Sequence, residues 1–229
     1  MNAVVKTLAD SGVPSRDGLG ERGQAAVGHQ TSVLPQIYED NVNIAIWQRT
    51  HASAFDVSIQ TFIASHPGYT LSLMTSPASA YECVSAALPD GDFSALAEDI
   101  AELVDMFCCL FDLHRAGLRL AVLERAMCPR FHVDAVPCRL VTTYCGPTTE
   151  WLNHDGVDRT KLGTGNQGLA DDKSGLFRHR DEVQQLAVGD VALLKGEAWI
   201  GNEGAGLVHR SPNVLPGQRR LLLTLDFGR

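Results

Sequence analysis

The feature that constrains this chain most is a change of period near Gly117. Before it, Leu96, Ile100, Leu103, Val104, Phe107, Leu110, Phe111 and Leu113 recur at the spacing of one helix face, and Gly117 stands where such a helix would stop. After it, residues 118–123, 130–134, 139–145, 182–187, 191–195, 207–210 and 219–227 each read as a short strand bounded by Gly, Pro or Asp. Short strands at such intervals predict an antiparallel barrel or sandwich, and a jelly roll of cupin type is the version that can hold a metal site in its mouth. The expected fold class is α+β: a jelly-roll core over residues 118–229, buttressed by the mainly helical residues 36–117 of the same domain.

Upstream, residues 42–47 predict a strand. Ser53 is a candidate N-cap for a helix through residue 64, which His66-Pro67-Gly68 ends, and residues 69–74 are again extended. Residues 1–35 lack the basic start and apolar centre of a secretory signal and are rich in Gly, Ser and charge, so they read as a flexible extension and the chain as cytoplasmic. With 229 residues, one well-buried core is expected rather than two full domains. A net charge of -8 with no Lys/Arg stripe argues against a nucleic-acid partner, and no apolar run is long enough for a bilayer. The six cysteines form no CxxC pair; Cys108 and Cys109, within the helical pattern, read as buried apolar side chains.

The chemistry concentrates in Cys128-Pro129-Arg130-Phe131-His132-Val133-Asp134. Two residues apart on a strand, His132 and Asp134 share a face. With the later His209 they make up a 2-His-1-carboxylate set, the donor combination of non-heme Fe(II) oxygenases. Arg125, Arg130 and Arg139 lie nearby in sequence, to meet an anionic small molecule or simply to form surface ion pairs. Residues 153–180 are polar, Gly-rich and aperiodic, which predicts a lid between the two halves of the metal set.

His132-x-Asp134, then His209 after Gly189-Asp190-Val191-Ala192-Leu193-Leu194, then Pro212, Gly217 and Arg219 before the last strand together resemble the Fe(II)/2-oxoglutarate-dependent oxygenases of the double-stranded β-helix fold, in their prolyl-hydroxylase-like branch. In finer detail, residues 130–134, 139–144, 149–152 and 208–212 resemble an uncharacterised bacterial domain family, over most of residues 118–227. The wider resemblance implies iron ligation by His132, Asp134 and His209 and pairing of Arg219 with the distal carboxylate of 2-oxoglutarate. Arg220 is the alternative, since neighbouring strand residues face opposite ways; the Gly-x-Arg pattern favours Arg219. Tyr144, Thr142 and Arg139, of both parities, are candidates for a second contact to the oxo acid.

The implied activity is hydroxylation or another oxidation of a small-molecule or peptide substrate, with release of succinate and CO2. The same donors could instead hold zinc or iron in a non-catalytic binding or sensing protein, or a metal-bound water in a cupin-like hydrolase or isomerase. An oxygenase needs an arginine for the oxo acid; a storage site does not. Nothing in the sequence sets an oligomeric state.

Overall fold

The computed structural model describes residues 23–228. Among these residues ten strands make two sheets: β1 (Gln24–Gly28), β2 (Val42–Trp47), β3 (Thr70–Thr75), β4 (Ala116–Leu123), β5 (Cys138–Cys145), β6 (Glu150–Leu152), β7 (Val183–Gln185), β8 (Val191–Lys195), β9 (Val208–Arg210) and β10 (Arg220–Phe227). The larger sheet runs β1-β2-β8-β5-β10-β4-β3 and the smaller β7-β6-β9. Every pairing is antiparallel except β1 with β2. The helices are α1 (Ser53–Ser65), α2 (Ala80–Ala87) and α3 (Ser94–Phe111). The class is mixed α and β, with one large sheet and few helices.

Alternation along the strands dictates the layers. Leu118, Leu120 and Val122 of β4 and Leu221, Leu223 and Leu225 of β10 bury one face of the large sheet against Leu96, Ile100, Leu103 and Phe107 of α3. Full burial of each such side chain contributes about 1.5–3 kcal/mol, so Phe107→Ala, which leaves a hole in this layer, would cost about 3–5 kcal/mol. On the opposite face, Ile44, Ile46, Val141, Ala192 and Leu194 pack on Trp151, Leu186 and Leu207 of the small sheet and its flanks. The small sheet therefore covers β2, β8 and β5, and β10, β4 and β3 extend beyond that cluster.

Several expectations change. Residues 1–22 of the anticipated flexible extension lie outside the described residues, but residues 24–38 are ordered as β1 and a 3-10 turn that buries Val33, Leu34 and Ile37. Gly117 is not the stop of α3. Asp112, in the left-handed region with φ 52° and ψ 48°, ends it, and Gly117 sits inside β4. The N-cap of α1 is Ala52 rather than Ser53, and no side chain caps it. Residues 130–134 form a single bridge, His132 to His209, instead of a full strand. The short helix α2 and strand β6 have too few residues for a readable period. Among the described residues no helix is long and apolar enough to cross a membrane.

The 153–180 segment is not draped over the inner face. Its Leu176 and Phe177 bury against Phe131, Leu152 and Val208, which are the residues flanking His132, Trp151 and His209 on the outward side of the small sheet. Asp171 secures it there, accepting from the Phe131 amide at 3.0 Å and pairing with Arg130 at 2.9 Å and Arg210 at 3.1 Å.

Candidate metal centre

His132 and His209 pair as backbone neighbours, each amide donating to the other's carbonyl at 3.0 Å. With Phe131 and Val208 turned outward, both imidazoles point into the space between the sheets, their ring centroids 4.6 Å apart. Asp134 follows on the same side. The Glu197 amide holds its carbonyl at 2.9 Å, and Gly196 passes so close that a Cβ there would lie 2.7 Å from that oxygen and 2.1 Å from the Val136 carbonyl. The Asp134 carboxylate stands 3.6 Å from His132 Nε2 and 3.5 Å from His209 Nε2. One donor atom from each of the three residues falls within 4.8 Å of the others.

Both histidines are set to offer Nε2. His132 Nδ1 lies 2.9 Å from the Arg130 carbonyl and His209 Nδ1 lies 3.1 Å from the Leu207 carbonyl. A ring N–H donated to a carbonyl assigns the tautomer that leaves the Nε2 lone pair free, the usual orientation of metal-ligating imidazole. Burial keeps His209 neutral, with its pKa pushed down to about 4. The Asp134 carboxyl is opposed by burial, yet the His132 hydrogen bond, His209 and Arg139 together hold it at about 2. The hydrogen bond to Asp134 raises the pKa of His132, and an arriving metal would displace that proton; two imidazoles and one carboxylate suit a divalent iron, zinc or nickel ion. The donor set fits a metal.

Arg139 lines the cavity at the triad, and its guanidinium braces the carboxylate. Its Nη1 donates to Asp134 at 2.7 Å, while Nε and Nη2 take both oxygens of Asp226 at 2.8 and 3.0 Å. The sequence offers Arg139 only as one of three candidate contacts to an oxo acid, and no sequence signal links it to Asp226, which arrives from β10.

The two consecutive arginines resolve in the opposite sense to the one the Gly-x-Arg pattern favoured. Arg219 faces away from the cavity, donating to Glu124 at 2.9 Å and to the Ile63 carbonyl at 3.1 Å. Arg220 lines the same small cavity as His132, His209, Thr149 and Leu222. The register follows from the turn after β5: Gly146, at φ +87°, packs so tightly on this strand that a Cβ would sit 2.1 Å from the Arg219 carbonyl. Arg220 is 1% exposed, yet among the described residues its hydrogen-bond partners are hydroxyls alone, Thr143 Oγ1 at 3.0 Å and Thr149 Oγ1 at 2.7 Å. Among the described residues it has no carboxylate partner, and burial pulls its pKa down to about 10.

Tyr144 also faces away. Its hydroxyl donates to Asp99 at 2.6 Å within the helix-covered core, and Thr142 shares that parity. Trp151 and Trp199 pack in apolar clusters, and Arg130 is spent on Asp171. Cys108 is buried as expected, whereas Cys109 is exposed, and all six cysteines are unpaired. Thr143 and Thr149, the hydroxyls that hold Arg220, were not distinguishable in sequence from other strand threonines.

No curated protein matches the chain. Solved structures similar to it include a dioxygenase for auxin oxidation from rice, at 13% identity over 81% of this chain and 73% of that one, with a TM-score of 0.49. A prolyl-4-hydroxylase from Pseudomonas putida has 12% identity over 86% and 97%, with a TM-score of 0.44. HygX from Streptomyces hygroscopicus, with nickel and 2-oxoglutarate bound, has 13% identity over 87% of each chain and a TM-score of 0.45. Residues 28–226 match the family described as protein of unknown function (DUF1826), and the chain belongs to that family.

Proposed function

We propose that this chain is an Fe(II)/2-oxoglutarate-dependent dioxygenase and that its two sheets are the walls of a jelly roll, the double-stranded β-helix. Strand order supports the fold reading. From β4 onward the chain visits the large sheet, the His132 bridge of the small sheet, then large, small, small, large, small and large. That palindrome is the path of a long hairpin wound on itself.

Arg220 is the observation that carries the activity. A buried guanidinium without a counterion costs several kcal/mol, and a dicarboxylic oxo acid supplies the missing anion beside three metal donors. His132, Asp134 and His209 would hold the iron, and Arg220 with Thr143 and Thr149 the distal carboxylate of 2-oxoglutarate. When bound, iron and 2-oxoglutarate would supply the chemistry that activates O2, one oxygen atom ending in succinate as the oxo acid loses CO2 and the other oxidising a substrate C–H bond. The chain's own residues position and shield. The Arg130 and Leu207 carbonyls orient the imidazoles, Arg139 steadies Asp134, and Val141 and Leu222 line the cavity with hydrocarbon that disfavours water. The six unpaired cysteines suit a reducing, cytoplasmic setting.

A non-catalytic zinc or iron site would use the same three donors, but it leaves the buried Arg220 without a role. Calorimetry of the Mn(II)-loaded protein with 2-oxoglutarate, in the absence of oxygen, separates the two readings. Saturable binding that depends on the metal is expected. Absence of binding at millimolar 2-oxoglutarate would make the non-catalytic site the better account.

A further inference from the structure

Beyond the cavity that holds Arg220, the inner face of the large sheet continues into a second hollow over β3, β4 and β10. This hollow is roomy, about 450 Å3 against about 70 Å3 for the cavity at the triad. The two share Met127, Arg139 and Thr224 in their walls, so the larger one opens beside the metal donors.

Strand register sets a row of polar side chains across its floor. Arg119 of β4 lies directly opposite Ser72 of β3 on one side and Thr224 of β10 on the other. Directly opposed side chains on one sheet face have Cβ atoms about 4.5–5.5 Å apart, so the three can converge on one group. Arg119 is exposed and makes no hydrogen bond or ion pair with any described residue. The other charges of the hollow are engaged, because Asp226 has both oxygens on Arg139. The remaining walls are apolar and pliable: Met74 and Met127 are 46% and 40% exposed, large for unbranched thioethers. Such side chains adapt to the shape of a bound hydrocarbon.

We propose that this hollow is the primary-substrate site and that its ligand is a small monocarboxylate with an apolar body. Its carboxylate meets Arg119 between the Ser72 and Thr224 hydroxyls, and its hydrocarbon runs along Met74 and Met127 toward the triad. A single free guanidinium specifies one anionic group, and its planar fork suits a carboxylate. The assignment rests on the proposed oxygenase function for calling the ligand a substrate; the anion site itself rests on Arg119 and its neighbours.

The test uses octanoate, octanol and octyl phosphate as probes of the Mn(II)-loaded protein with 2-oxoglutarate present and oxygen excluded. Octanoate should bind, and Mn(II) at the triad should relax the protons of its chain. Arg119→Gln should weaken octanoate binding by about tenfold or more, the loss expected for a charge-assisted hydrogen bond, with 2-oxoglutarate affinity unchanged in the same samples. Octanol should bind no better to the parent than to the variant. Equal octanoate binding by parent and variant, absence of octanoate binding or of proton relaxation, or preference for octyl phosphate would each overturn the proposal. Loss of 2-oxoglutarate binding in the parent would instead overturn the oxygenase reading, and the Arg119 dependence of octanoate binding would still decide the anion site.

Discussion

Two guanidinium sites in this protein, one mostly and one fully buried, are solved in opposite ways. On the helix-covered side, Arg49 donates to both oxygens of Asp99 at 2.6 and 3.0 Å and to the Gly189 carbonyl at 2.9 Å, and Tyr144 adds its hydroxyl to the same carboxylate. Burial opposes the charge of Arg49, but Asp99 more than restores it and its pKa is raised. Between the sheets, Arg220 is buried more deeply and has two threonine hydroxyls and no carboxylate, so burial prevails and its pKa falls. The first site is electrostatically complete and joins α3 to the sheet. The second has no carboxylate partner among the described residues and opens on a cluster of metal donors, the arrangement on which the proposed oxo-acid site rests.

The comparison breaks most visibly at Asp99. Asp99→Ala would leave Arg49 buried without its counterion and the Tyr144 hydroxyl without its acceptor, and a loss of about 3–5 kcal/mol is expected. Urea denaturation measures it; a loss below about 1 kcal/mol would mean that Arg49 was never dependent on its partner.

At Arg220 the sign should reverse. Arg220→Met, which removes an unpaired charge at similar volume, should leave the ligand-free protein as stable as the parent or more so, as thermal melting would read. The same variant should lose about 1.5–3 kcal/mol of 2-oxoglutarate affinity, roughly ten- to a hundredfold in dissociation constant. Arg220→Lys should recover part of that, since a point charge lacks the bidentate fork. Strong destabilisation of Arg220→Met without ligand would show that the guanidinium serves the fold instead.

The smallest effect belongs to Arg219, whose ion pair with Glu124 is solvent-accessible, with side chains 33% and 57% exposed. Arg219→Ala should cost no more than about 1 kcal/mol and leave 2-oxoglutarate affinity unchanged. A loss of affinity equal to that of Arg220→Met would restore Arg219 as the oxo-acid residue.

The anion site at Arg119 stands at a third point on this scale: a guanidinium with neither a carboxylate nor burial, left to solvent on a strand whose neighbours are packed. It differs from Arg220 in what its removal should change, substrate binding rather than oxo-acid binding.

How far the sequence reaches differs between residues separated by one position. Periodicity alone determined a long helix from residue 94, although its pattern ran to residue 114 where the structure ends the helix at 111, and likewise the helix-to-strand change near residue 117 and the strands from β4 to β10 of five residues or more, because local backbone preference and one buried face both act within a few residues. The spacing of His132 and Asp134 likewise set them on one side of the chain. Tertiary structure alone decided that residues 24–38 pack as a strand and turn, since their burial needs β2 as a partner. It decided too that residues 153–180 lie on the outer wall, held by Asp171. It also chose between Arg219 and Arg220. Strand alternation says that one of the two faces inward, but the choice of register comes from the tight contact of Gly146 with β10 and from pairing with β4 and β5, contacts between residues far apart in the chain.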